Sequence, residues 1–304
     1  RANGKVYRGV AGFDLTFSAP KSVSVLWALT QDERILTAHD RAVAAVMAHT
    51  EQFGSTTRIR SGSGRLHPDS QGLIIASFRQ TTSRSDDPQL HTHAVISSKV
   101  QTDEHRWLAL DARYVKEHQR QLGGLYQSVL RAELSHELGV AWGPIDEGQA
   151  EIVGVPTEVR ELFSKRSRQI ERAIRAKVSE FRNRQGRGPN QWELGAIKRE
   201  AAADTRGPKS GNGVPELLTR WANEAASIGW TGHELTAAVA EAARDRAPEP
   251  ATVDVDGIIA ALSVGGSTWN RVHVMSALCD ASRPQAHLSG QRWAEVIERV
   301  TDEV

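Results

Sequence analysis

Apolar and polar positions alternate with a period of two along Leu90, His91, Thr92, His93, Ala94, Val95 and Ile96, the pattern of an extended strand. Leu90, Thr92, Ala94 and Ile96 fall on one side, which faces a core, and His91 and His93 fall on the other. A looser alternation runs from Val6 to Phe17 and continues to Ser18, so that Asp14, Thr16 and Ser18 share one face of a second strand. Pro20 ends that strand, because proline stops a ladder and presets a helix start. Further short strands are expected at Thr56 to Ile59, Leu73 to Phe78 and Trp107 to Leu110, with a turn at Ser61 to Gly64. The polar stretch from Arg79 to Pro88 reads as the connection between two antiparallel neighbours.

A period near 3.6 marks the helices. Ile35, Leu36, Val43, Val46 and Met47 form a stripe within Asp32 to Gln52. Leu122, Leu125, Tyr126, Val129, Leu130 and Leu134 form a wider one within Asp111 to Leu138, which Gly139 terminates. Strands mixed with long helices argue for an α+β fold. Beyond Pro156 the strand signal disappears. One long helix is expected from Thr157 to Phe181 and another from Asn190 to Thr205, with further helices near 214–227, 232–246, 253–263, 269–280 and 288–302. Ser267 is suited to cap the helix that includes Trp269. The organisation read from this is 1–155, a mixed core; 156–250, a helical subdomain; and 251–304, a small helical region, with linkers at 207–213 and 247–250.

Composition narrows the class. The 304 residues are 39% apolar and 25% charged, as in a soluble globular protein, and no apolar run approaches a membrane span. A single cysteine, Cys279, excludes internal disulfides and cysteine-based zinc sites and fits a reducing compartment, the cytoplasm. The chain starts at Arg1 without a signal-peptide pattern, as if inside a longer protein. Net charge is only +1, yet Thr157 to Lys209 holds 14 Lys/Arg against seven Asp/Glu. Such a stretch is either a solvated helix face or a basic cover over a phosphate backbone. Trp192 lies inside it and reads by default as a core residue, with base stacking as the alternative.

Two histidines on one strand face can hold a metal ion or be two partly exposed side chains. The wording around them favours the first. Gly12-Phe13-Asp14-Leu15-Thr16-Phe17-Ser18-Ala19-Pro20-Lys21-Ser22-Val23-Ser24, then Phe78-Arg79-Gln80 with Thr82-Ser83-Arg84, then Asp87-Pro88-Gln89-Leu90-His91-Thr92-His93 closely resemble the MobF-type conjugative relaxases, the TrwC/TraI-like family. The resemblance covers at least residues 10 to 140.

It implies an HUH-type relaxase palm, with a central antiparallel sheet of about five strands packed with helices and a mainly helical extension that closes over single-stranded DNA at a transfer origin. It implies nicking by transesterification through a tyrosine, a divalent metal ion (Mg, Mn or another), and other relaxosome proteins as partners. His91 and His93 match two metal ligands, and Asp14 matches the aspartate that orients one of them. The family's third ligand, a histidine eleven residues before the first, is replaced here by Gln80, whose amide oxygen is a harder and weaker ligand. Lys21, Arg79 and Arg84 are candidates for phosphate contact. The family's catalytic tyrosine lies several dozen residues upstream of the Asp14 motif, whereas Tyr7, Tyr114 and Tyr126 do not match it. The nucleophile-bearing segment is therefore expected to be absent from this chain, leaving metal and DNA binding with little nicking.

Serine catalysis is not supported by any adjacent histidine, and there is no Walker A phosphate loop. Residues 253 to 304 resemble the region that precedes a helicase-like ATPase in many members. A DNA-binding module with a decayed metal site, and a rolling-circle initiator or transposase, stand as alternatives.

Overall fold

The histidine strand is the middle strand of its sheet, so both of its edges are satisfied and its two faces do different work. In the computed structural model, which describes residues 9–68, 70–146, 148–207, 211–245, 253–265, 268–281 and 288–304, the strands are β1 (Gly12–Ser18), β2 (Ile59–Ser61), β3 (Gly64–Leu66), β4 (Ile75–Thr82), β5 (Pro88–Ser97), β6 (Lys99–Gln101) and β7 (Trp107–Ala109). The helices are α1 (Lys21–Thr30), α2 (Glu33–Gly54), α3 (Arg113–Glu117), α4 (Gln119–Leu138), α5 (Thr157–Leu162) and α6 (Lys165–Gln185). Beyond them come α7 (Gln191–Asp204), α8 (Val214–Ala226), α9 (Gly232–Arg244), α10 (Val255–Gly265), α11 (Arg271–Ala281) and α12 (Gly290–Glu303). Tyr7, Ser267, the 247–250 linker and residues 208–210 of the other linker lie outside the described residues.

The chain is α+β, with an antiparallel sheet in the order β1-β5-β4. Among the described residues this sheet has three strands, not about five. The other expected members pair outside this sheet: β2 with β3 and β6 with β7 locally, and Thr57 with the distant Leu110 in an isolated bridge. Strands β2, β3, β6 and β7 are three residues long and close on turns at Gly62 (φ +58°) and His105 (φ +58°), so each of the four finds its partner within a few residues.

One face of the sheet makes the core. Leu90, Thr92, Ala94 and Ile96 of β5 are buried against α1, α2 and α4, together with Leu15 and Phe17 of β1. Two expected helices are each broken in two. Asp111 to Leu138 breaks at His118, whose ring donates to the Tyr114 carbonyl (2.8 Å) and stacks on that tyrosine. Thr157 to Phe181 breaks at Phe163–Ser164, where the Asp87 carboxylate accepts from the backbone N–H of Lys165 (2.7 Å) and Arg166 (3.3 Å) and so caps a new helix.

Helices α5, α8 and α9 dock on α1. Gly232 is obligatory there, since a Cβ would lie 2.2 Å from the Leu29 carbonyl oxygen. Trp221 of α8 is fully buried edge-on against Trp27. Helices α6 and α7 form a hairpin, and no residue of α6 is buried. Helices α11 and α12 pack on α4. There the buried Arg131 donates to the carbonyls of Gly148 (2.8 Å) and Cys279 (2.7 Å), the latter in the last turn of α11.

Below the histidine strand lies a closed polar chain. His39 Nδ1 meets the Tyr126 hydroxyl at 2.8 Å and its Nε2 meets Thr92 Oγ1 at 2.7 Å. Burial, with the neighbouring charges of Arg79 and His91, holds the His39 pKa down at about 3 against the ordinary 6.5. The folded state thus refuses a proton that the unfolded chain accepts. The stability this contributes is complete above pH 6.5 and drains away as pH falls from there towards 3. The slope is at most about 1.4 kcal/mol per pH unit. Urea midpoints are expected to fall from neutral to mildly acidic pH, and His39→Gln, which cannot titrate, is expected to flatten that fall.

Candidate metal centre

The strand registers set out the other face of the sheet in cross-strand rows. Ser18, His91 and Gln80 form one row, Thr16, His93 and Phe78 the next, and Asp14, Val95 and Ala76 the third. Asp14, Thr16 and Phe78 on this face are exposed, and no described helix makes a major contact with it. A register shift between Gln80 and Thr82 bends β4 at the edge of the first row.

The two imidazoles are oriented by their own hydrogen bonds. His93 Nδ1 donates to the Asp14 carboxylate at 2.9 Å, and Thr16 Oγ1 lies 3.0 Å from the same nitrogen. His91 Nδ1 donates to the Gln89 carbonyl at 2.8 Å. A carboxylate and a carbonyl only accept, so both rings in their neutral form carry the proton on Nδ1 and keep the lone pair on Nε2. The ring centroids are 5.3 Å apart. Gln80 sits directly across from His91. Among the described residues no group of three His, Cys, Asp or Glu side chains converges on a metal position. The polar groups that share this face are the two imidazoles, Ser18, Thr16 and the Gln80 amide.

Asp14 stands over solvent and holds nothing of the core together. Asp14→Asn removes the charged acceptor behind His93 and is expected to weaken divalent-ion binding by about 10- to 100-fold. Calorimetry would measure this, with an unchanged unfolding midpoint as the control.

Beside the histidines is a cleft of about 230 Å³ lined in part by Ser18, Gln80, Ser83, Arg84 and Arg206. Arg84 projects from the β4–β5 connection and donates to the Gly207 carbonyl (3.3 Å). Arg84 and Arg206 thus bring two cations to the cleft, and burial, then their charges, draws the nearby Arg166 guanidinium below its usual pKa. Arg206 was hidden in the charge excess of the helical stretch and has no motif of its own. The β4–β5 connection is held rigidly. The Asp86 carbonyl accepts from Arg220 and from Trp221 Nε1, both at 2.7 Å. Asp87 is buried near Lys165 and Lys21, and burial pushes its pKa up.

Two expected phosphate contacts are not brought to this face. Lys21 turns inward to the Pro88 carbonyl (2.8 Å), and its burial lowers its pKa. Arg79 lies across from Thr92 on the core side of β4, where it is bonded to Asp40. Tyr126 is buried against His39, and Tyr114 bonds His49 (2.9 Å), so neither faces the histidines. Trp192 is 89% exposed, against its expected place in a core. Ile197 and Ala201 are the buried positions of α7. A second cationic surface lies on the β2–β3 ribbon, where Arg60 stands directly opposite Arg65 and neither has a carboxylate partner among the described residues. Like charges placed so are unfavourable without a counter-charge.

A family model described as TrwC relaxase matches residues 1–228. The chain is 36% identical over 172 residues to the multifunctional conjugation protein TraI of Escherichia coli, a match that covers 54% of this chain and 10% of that protein. It thus spans about a tenth of the length of the curated relatives it matches. A copper-bound structure of the conjugative relaxase TrwC in complex with oriT DNA superposes with a TM-score of 0.63 at 33% identity, covering 73% of this chain and 72% of that chain. TrwC complexed with a 27-mer DNA comprising the recognition hairpin and the cleavage site gives 0.62 at 32% identity, covering 73% and 75%.

Proposed function

The chain belongs to the TrwC relaxase family, and we propose that its histidine face takes part in cutting and rejoining one DNA strand at a transfer origin. The observation that carries this reading is the pair His91 and His93, each fixed through Nδ1, on an open sheet face beside Arg84 and Arg206. His91, His93 and Gln80 would hold a divalent ion. Such an ion, when bound, supplies Lewis-acid polarisation of a non-bridging phosphoryl oxygen. The chain's own residues do the rest. Asp14 fixes the His93 ring, and Arg84 and Arg206 neutralise the phosphate charge that grows as the attacking oxygen closes on phosphorus.

The reaction is a transesterification. A tyrosine oxygen bonds to phosphorus, the bond to the 3′ oxygen breaks, and a 5′-phosphotyrosine link conserves the bond energy for rejoining. Neither described tyrosine faces the histidines, and we place the nucleophile outside the described residues.

In this reading residues 156–250 cover the single strand with the basic α6–α7 hairpin, and the Arg60–Arg65 ribbon meets a further stretch of phosphates. Residues 251–304 lead towards a helicase-like part, other relaxosome proteins bind nearby, and the setting is the cytoplasm. No described helix is long and apolar enough to cross a membrane.

Single-stranded DNA binding followed by fluorescence anisotropy from about 50 to about 200 mM salt tests the proposal, since each phosphate contact contributes about −0.7 to the logarithmic slope. Arg84→Ala and Arg206→Ala are expected to flatten the slope, and Arg79→Ala to leave it unchanged. A parent that binds no single strand at the low salt sinks the proposal. A second reading, a DNA-binding module whose metal site has decayed, is favoured by Gln80 standing where the family resemblance expects a histidine, and metal titration separates the two.

A further inference from the structure

The open sheet face carries more than the metal ligands. Ile74, Ala76 and Phe78 follow one another at spacing two along β4 and its lead-in, on the same side as Gln80. Ile74 is 54% exposed and Phe78 56%. None of the three belongs to the hydrophobic core or packs against it. Val95, across from Ala76, widens the stripe in the middle. This is an apolar ledge on an otherwise polar face, and its aromatic end is the cross-strand partner of His93.

The surroundings identify what suits it. At its Phe78 end the ledge runs into Gln80 and His91, and past them lie Arg84 and Arg206. Phosphate-seeking groups at one end and a flat π surface one row away match the two halves of a single nucleotide. A protein segment covering the ledge would meet no such charge pattern in its own backbone. An exposed phenylalanine has a flat ring that every nucleobase can stack upon, whatever its identity.

Resting on the DNA-processing reading above, we propose that Phe78, with Ala76 and Val95 beside it, is a base-stacking platform. It takes the base of the nucleotide whose phosphate lies at His91 and His93. Phe78 acts as a positioning residue. By holding the base it fixes the rotation of the sugar–phosphate link, and so the line along which the phosphorus is attacked. The contact is blind to base identity, so sequence choice is left to other surfaces.

The test compares two probes of equal length and charge, a thymidine oligonucleotide and its abasic sugar–phosphate counterpart. The parent is expected to prefer the base-bearing strand by about 10-fold, the lower half of what one stacked base is worth. Phe78→Ala and Phe78→Leu are expected to abolish the preference while leaving abasic binding and its salt slope as in the parent. Phe78→Trp is expected to keep or increase it. Phe78 is exposed, so all three variants retain the core. A Phe78→Leu chain that keeps the parent's preference overturns the proposal, because leucine offers apolar area without a stacking face. So does a parent that binds both probes equally. In that last case salt-dependent binding of the abasic strand leaves the DNA-binding reading standing, whereas loss of binding to both probes removes it as well.

Discussion

A His91→Ala/His93→Ala chain is expected to show no divalent-ion binding in a calorimetric titration that gives saturable binding for the parent. The expectation follows from what remains. Without the imidazoles the face offers Gln80, a neutral amide, and Asp14, whose present bond is to the ring that has been removed. A single amide oxygen does not strip water from a divalent ion. The reverse substitution is equally informative. Gln80→His places a third imidazole across the strand pair from His91 and is expected to tighten binding of zinc-class ions by about 10- to 100-fold, relative to magnesium. A parent that binds none of magnesium, manganese or zinc, beside a Gln80→His chain that does, would show a decayed site. It would sink the metal-assisted reading for this chain while leaving its fold and its DNA binding untouched.

The second large effect falls on stability. Trp221→Ala is expected to cost about 3–5 kcal/mol, the range for deleting a buried indole. Trp221 is fully buried against Trp27, and its Nε1 also donates to the Asp86 carbonyl. Trp221→Phe preserves most of the packing and loses only that bond, so it is expected to cost roughly 1–2 kcal/mol. Urea unfolding measures both. Equal costs for the two variants would mean that the bond to Asp86, and not the packing, dominates.

Much of the histidine face was legible from alternation. The i, i+2 spacing of His91 and His93 puts them side by side, and the same parity in β1 brings Asp14, Thr16 and Ser18 to the strand beside them. Parity also decides Arg79. If Gln80 faces the histidines, its neighbour in a strand faces away, and it does, towards Asp40. The polar stretch from Arg79 reads in the sequence as a connection, whereas β4 continues through Thr82 and carries both residues. Lys21 was beyond reach, because its partner is a main-chain carbonyl at Pro88, which no residue type announces. The sheet's width was misjudged because short β-rich segments carry no mark of whether they join a sheet or close on themselves.

The charge excess from Thr157 to Lys209 was real but partly spent within the hairpin. Lys177 meets Glu200 and Asp204, and Arg187 meets Glu193. Trp192 misled because large aromatics are usually covered, and the apolar period of α7 turns Ile197 and Ala201 inward instead.

Asp86 and Asp87 join the sheet to the helices that follow it. The first is held through its carbonyl by Arg220 and Trp221, and the second caps α6 with its carboxylate. Both immediately precede the histidine strand. The two halves of the molecule therefore cannot be exchanged freely between relatives. A chimera that takes its sheet from one parent and its helices from another separates Asp86 and Asp87 from the partners that seat them, and Arg84 loses its bearing on the cleft. Crossovers that keep residues 84–93 with 165–224 from one source are the ones expected to yield folded hybrids. Natural recombination among such chains would then leave its breakpoints outside that pair of segments.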